Sequence, residues 1–241
     1  MPPKTNNHSV WLFCDAAPAR VKNEYSFFWH TATMPKVSEE HRAARREQII
    51  DAMLRCVARD GFHKTTMAAV VGESGLSAGA VYLYFKGKDD LIRAIAELVA
   101  GEGLSVVLDR AVADVPPPHR VLEAVLERVI AIGEERGIEL HRVALQTWAE
   151  AARDPEIKAI YRREGSRGRA AWATYVERAI AAGHLQHDAD PARIAHTLIG
   201  LIPGYMVQRL FFEDLTPASY AAGLADLTGC AAMRRANEDN T

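Results

Sequence analysis

The sequence predicts an all-α protein: an N-terminal head of three short helices followed by a longer C-terminal helical bundle. Apolar residues recur at the i, i+3, i+4, i+7 spacing of one buried helix face along most of the chain. No stretch of useful length alternates apolar and polar residues as a half-buried strand does, and no segment repeats. Helix caps and glycine or proline stops punctuate the periodic stretches at helical intervals. The 241 residues are 49% hydrophobic and 25% charged, the balance of a globular chain with room for one or two domains.

Residues 1–33 stand apart. They scatter Trp11, Phe13, Tyr25, Phe27, Phe28 and Trp29 among polar residues without a period. They lack the basic start, apolar core and small-residue cleavage site of a secretory signal. The segment is expected to be a disordered extension, or a misassigned one if translation starts at Met34. The head is expected over 34–87. Its first helix spans about Glu39 to Asp60, with Ile50, Met53, Leu54 and Val57 on the inner face. Arg42, Arg45 and Arg46 near its start form either a solvated charged face or phosphate contacts. Gly61 ends this helix and Phe62 plugs the core beneath it.

The stretch from Thr65 to Phe85 organises the head. Thr65 or Thr66 caps a helix whose apolar face is Met67, Val70 and Val71. Gly75 stops that helix in the left-handed conformation, and Ser77 caps the next, whose inward face is Val81 and Phe85. Two short helices about a tight turn make a helix-turn-helix, which lays its second helix in the DNA major groove.

The bundle is expected over 88–235, with a polar tail at 236–241. Its first helix starts near Asp89 and is bent or broken at Gly101 and Gly103; Pro116-Pro117-Pro118 is a firm break. Further helices follow Val121 to Ile132, Leu140 to Trp148, and a long run from Glu156 to Ala182 weakened at Gly165 and Gly168. Asp190-Pro191 opens another, kinked at Pro203, and Thr216-Pro217 opens the last, which is rich in small residues.

Residues Arg45 to Ile95 resemble the DNA-binding domain of the TetR family of bacterial transcriptional regulators. Gly61-Phe62, Thr65-Thr66, Gly75-Leu76-Ser77, Gly79-Ala80-Val81-Tyr82, Phe85 and Lys88 fall at the family's spacing without gaps. The remainder matches in helical pattern, and Leu145 to Asp154 is similar to the choline-responsive class of these regulators. The resemblance implies a homodimer that reads two half-sites of a palindromic, double-stranded DNA operator. It also implies a small-molecule effector, of unknown identity, bound in the C-terminal region to release DNA.

Thr66 and the free N–H groups of its helix suit a phosphate, as do the hydroxyls of Tyr82 and Tyr84 and the point charge of Lys88. The family reads bases from the first turn of the second helix, here Ser77, Ala78, Gly79 and Ala80. None of these makes a bidentate base contact, and Leu83 replaces a commonly polar aromatic residue. Shape readout, or an arm preceding the first helix, is the remaining source of specificity.

Trp148, Trp172, Tyr175 and Tyr205 either line an effector pocket, with His141, Gln146, His196 and Gln208 as polar anchors, or fill the core. In the last two helices Ala195, Gly200, Gly204, Ala221, Ala222 and Ala225 allow close approach. Leu198, Leu201 and Leu224 either bury against a second copy or fill the subunit's own core.

The composition excludes several classes. The net charge of -2 argues against non-specific coating of nucleic acid, though not against a local DNA face. No apolar run approaches the ~20 residues that cross a membrane. Cys14, Cys56 and Cys230 are far apart and form no metal or redox spacing, which points to a reducing cytoplasm. His184, His187, Asp188 and Asp190 share one loop but read as solvated, so neither a metal nor a cofactor is expected. No nucleophile elbow, phosphate loop or zinc motif is present, which argues against an enzyme. The leading reading is a ligand-responsive transcriptional regulator, more often a repressor. The alternative is a helical interaction protein that keeps the head fold without operator binding.

Overall fold

The computed structural model describes residues 38–101 and 104–238, with side chains through 229. The predicted extension at 1–33, the Met34 start and the side chains of Cys14 and Cys230 lie outside the described residues. The described chain forms α1 (Glu39–Lys64), α2 (Met67–Ser74), α3 (Ala78–Tyr84), α4 (Lys88–Gly101) and α5 (Leu104–Asp114). It continues as α6 (Pro118–Glu135), α7 (Leu140–Ala151), α8 (Pro155–Ala181), α9 (Pro191–Phe211) and α10 (Pro217–Glu238), with no strand among the described residues.

Local chemistry sets most of these ends. Ser38, Thr66, Ser77, Asp154 and Asp190 each accept a hydrogen bond from a backbone N–H of the helix they precede. Pro118, Pro155 and Pro191 occupy first helical positions, where the missing N–H costs nothing. Gly75 takes φ 67° and ψ 12°, the left-handed cap that closes α2. The α6 end is sealed by Ile138 N–H to Gly133 O at 2.9 Å and Gly137 N–H to Glu134 O at 3.0 Å, a Schellman pair.

Three of the expected weak points lie inside helices. Helical hydrogen bonding resumes after Gly61, so α1 ends at Lys64 rather than Asp60; Gly61 itself, at φ 78° and ψ 165°, is a kink between two helical pieces. Pro203 lies inside a continuous α9. Gly168 is a packing site within a continuous α8: a Cβ there would come within 3.1 Å of Leu104 and 3.3 Å of Ile199.

The packing does not stop at the expected 87/88 boundary. One apolar cluster takes in Ile49, Met53, Leu54 and Val57 of α1, Val70, Val81 and Phe85 of the helix-turn-helix, and Leu91, Ile92 and Ile95 of α4. It continues into Ile132, Leu140, Val143, Ile157 and Ile160 of α6, α7 and α8. A second cluster joins α5, α6, α8 and α9 around Trp172 and Tyr175, and a third gathers Leu122, Leu126 and Tyr205. The described residues from 38 onward belong to one compact unit. No described helix is long and apolar enough to cross a membrane.

Leu54 is fully buried in the shared cluster. Leu54→Ala is expected to lower unfolding stability by about 2–5 kcal/mol, through lost transfer energy and the cavity left behind. Urea denaturation checks this, and a shift below about 1 kcal/mol would place Leu54 outside the core.

Candidate functional site

The helix-turn-helix is held by side-chain-to-backbone hydrogen bonds. Thr66 Oγ1 accepts from Ala69 N–H at 3.2 Å, and Ser77 Oγ accepts from Ala80 N–H at 3.2 Å. Each hydroxyl spends a lone pair on its cap and keeps its proton for an outside acceptor such as a phosphate oxygen. The turn itself is held from α1: Gln48 Nε2 donates to Ser74 O at 2.8 Å, and buried Ser74 Oγ donates to Val71 O at 2.9 Å. Glu73 bonds Arg55 at 2.7 Å and Arg59 at 3.4 Å, which ties α2 to α1 and holds its carboxyl below the usual range.

On α3 the inner residues Val81 and Phe85 are buried, and Ser77, Ala78 and Gly79 face outward with Ala80 half-buried. Tyr82 is 49% exposed and Leu83 85% exposed. Tyr84 departs from expectation: it is half-buried, packed against the head core, which removes most of its ring from the outward face. Arg46 also has an internal task, its guanidinium lying 5.4 Å from the Phe85 ring centroid. Arg45 bonds Gln48 at 2.8 Å, whereas Arg42 is exposed. Lys88, half-buried, opens α4 beside exposed Lys86, whose N–H donates to Asp90 at 2.9 Å.

The eight residues expected to shape an effector pocket are not brought together. Trp172 and Tyr175 are fully buried and meet edge to face at 5.8 Å. Tyr175 donates to Pro116 O, and burial pushes its phenol well above the ordinary range. These rings fill the α5–α8–α9 core rather than line a space. His196 is exposed, 3.3 Å from Arg169, and Gln208 is exposed on α9. Trp148 is half-buried. His141 and Tyr205 do share a cavity, between the α6–α7 turn and α9.

Gln146 does something the sequence did not signal. Its Oε1 accepts from Phe62 N–H at 3.0 Å, and its Nε2 reaches Val57 O at 3.5 Å and Arg142 O at 3.2 Å. This α7 side chain therefore caps the backbone group freed by the kink at Gly61, where an added Cβ would sit 3.2 Å from Oε1. Arg136, on the α6–α7 turn, makes a second link by pairing with Asp51 and Glu47 of α1. Both links bridge more than eighty residues of sequence, so neither leaves a local pattern.

The expected dimer residues divide. Leu198 and Ala221 are buried inside the subunit, because α9 and α10 turn these faces toward the chain's own core. Leu201 and Leu224 bridge the second and third clusters, and Ala225 is half-buried. The exposed apolar surface lies elsewhere: Val207, Leu210 and Phe211 on one face of α9, with Phe212 and Leu227. In the loop before α9, Asp190 caps the helix and His184 bonds Val115 O at 2.9 Å. Among the described residues no group of three His, Cys, Asp or Glu is placed to hold a metal ion.

Two family models match this arrangement in register. Residues 49–95, the helix-turn-helix with α1 and α4, match the model for bacterial regulatory proteins of the tetR family. Residues 118–228, from α6 into α10, match the C-terminal model of BetI-type transcriptional repressors. The chain belongs to the TetR family. The chain is 46% identical over 70 residues to the uncharacterized HTH-type transcriptional regulator YfiR of Bacillus subtilis strain 168, covering 29% of this chain and 34% of YfiR. It is 34% identical over 127 residues to the HTH-type transcriptional regulator BetI of Burkholderia cenocepacia strain HI2424, covering 52% of this chain and 63% of BetI. Thus the matches span about a third of YfiR and 63% of that BetI. A putative transcriptional regulator from Saccharomonospora viridis, solved in complex with choline, shares the fold. Its TM-score is 0.59 at 22% identity, over 76% of this chain and 95% of that one. The TetR-family helix-turn-helix is thus joined here to a BetI-type bundle, and Gln146 and Arg136 stand at their junction.

Gln146→Ala is expected to leave the buried Phe62 N–H unpaired, at a cost of about 1–3 kcal/mol. Hydrogen exchange at the Phe62 amide should accelerate more than at Val81; equal protection in both proteins would remove the capping role.

Proposed function

We propose that this TetR-family chain is a transcriptional repressor that binds a palindromic operator as a homodimer and is released by a small molecule held in its helical bundle. The observation that carries the reading is the outward face of α3. Ser77, Ala78, Gly79, Tyr82 and Leu83 are exposed on a helix whose underside is locked by Val81 and Phe85. Such a face enters a major groove without disturbing its own packing.

Thr66, Tyr82 and Lys88 serve as phosphate contacts that position the helix, and exposed Arg42 of α1 is a further candidate. Tyr84 is left as a structural residue. Base reading falls to small groups: the Ala78 and Ala80 methyls and the Leu83 side chain suit the methyl of thymine, and Gly79 lets the backbone approach closely. With no long donor on this turn, the reading assigns much of the specificity to DNA shape. The protein works in the cytoplasm, where its DNA is.

Dimerisation is assigned to the exposed faces of α9 and α10. Phe211 at 68% exposure, Phe212 at 56% and Leu227 at 79% are large apolar side chains that a second copy would cover. Release follows from the junction. An effector that shifts α7 or the α6–α7 turn pulls on Gln146 and Arg136, and through them on α1 and the head.

A gel shift against DNA flanking its gene tests the reading, and absence of a specific shift on any fragment of a genome-wide selection would favour the interaction-protein alternative. Lys88→Ala is expected to weaken binding across sequences and to reduce the slope of log K against log salt by about 1. Tyr82→Phe weakens binding with the slope kept, and an unchanged Lys88→Ala slope would remove the phosphate role. Phe211→Glu should convert the dimer to monomer in sedimentation velocity without loss of helicity; a dimer that persists would move the interface elsewhere.

A further inference from the structure

A cavity of about 140 Å³ lies between the end of α6, the α6–α7 turn and α9. Its apolar wall is Ile130, Ile138, Leu140 and Met206. Three polar groups form its other side. Arg209 donates through Nη1 to the neutral carbonyl of Leu215 at 2.9 Å, and among the described residues no carboxylate pairs with it. Its charge is therefore anchored but not neutralised. Tyr205, 1% exposed, is one helical turn away on α9, and its buried hydroxyl has no hydrogen-bond partner among the described residues. His141 faces the same space, and burial lowers its pKa, which keeps the ring neutral with one N–H to donate.

Two carboxylates also border the cavity. Glu139 is bonded to Arg142 at 2.5 Å, and Glu134 is exposed at the rim. Neither pairs with Arg209, and both oppose an anion beside them, so a negative group is favoured only against Arg209.

We propose that this cavity binds a small carboxylic acid with a compact apolar body, its carboxylate on Arg209 and its ring or branched chain against Ile130, Leu140 and Met206. The size fits: an engineered apolar cavity of about 150 Å³ accepts benzene, so this space takes a single six-carbon ring. Guanidinium matches carboxylate through two parallel N–H bonds, and here the Leu215 carbonyl orients the group beforehand. The site is separate from the aromatic residues buried around Trp172, and the proposal stands apart from the DNA-binding reading because its test uses no DNA.

The test is calorimetric titration of the full chain with benzoate as probe, beside benzamide and benzylamine. Benzoate should bind once per chain with a Kd of about 1 mM or tighter, as a ligand of this size allows. Benzamide, of the same shape without charge, should bind at least tenfold more weakly, and benzylamine more weakly still. Arg209→Gln should weaken benzoate at least tenfold and erase its advantage over benzamide, whereas Arg209→Lys should keep part of it. Thermal melts of both variants separate lost binding from lost folding. No saturable benzoate heat, equal affinity for benzamide, tighter binding of benzylamine to the Glu134 and Glu139 rim, or unchanged benzoate affinity in a folded Arg209→Gln protein would each overturn the proposal.

Discussion

The wide buried face of α1 constrains the rest of the molecule. Ile49, Ile50, Ala52, Met53, Leu54, Cys56 and Val57 are all within 2% of complete burial. These seven positions make a face about half the helix wide, broader than a single stripe, and a face that wide needs more than one packing partner. The helix-turn-helix supplies one side, and α4 and α7 supply the others. Head and bundle therefore share a core instead of being strung on a linker, and a change in one is felt in the packing of the other.

Polar contacts add direction to that packing. The kink at Gly61 frees the Phe62 N–H, and a side chain from α7 satisfies it. Arg136 fastens the turn before α7 to Glu47 and Asp51 of the same α1. Residues 138–141, which wall the cavity beside Arg209, lie between these two fastenings. The segment that walls the cavity thus also carries both polar links to α1.

Much of the head was legible because its determinants are local. Thr66, Gly75 and Ser77 act on backbone groups within four residues of themselves, and Val81 and Phe85 lie one helical turn apart on α3. The helices of the bundle were legible for the same reason, from Asp154-Pro155 and Asp190-Pro191. The individual bundle side chains were not. Trp172, Tyr175 and Leu198 are equally consistent with lining a pocket, filling a core or facing a partner, because periodicity shows that a face is apolar and not what it meets. Gln146 looked like a ligand anchor, and its partner is a backbone group eighty-four residues away.

The sequence by itself determined that the chain is helical, where the helix-turn-helix lies, which residues cap it and how bare its base-reading turn is. Each of these follows from short-range hydrogen bonding and from the 3.6-residue period. Only the tertiary structure decided that α4 shares the head's core, that Tyr84 packs inward, and that Phe211 and Leu227 face outward in place of Leu198 and Ala221. It also decided that Arg209 holds its charge beside an apolar cavity. The physical reason is common to all four: burial and charge pairing are set by which distant helices meet, and that is a property of the packed chain rather than of any segment.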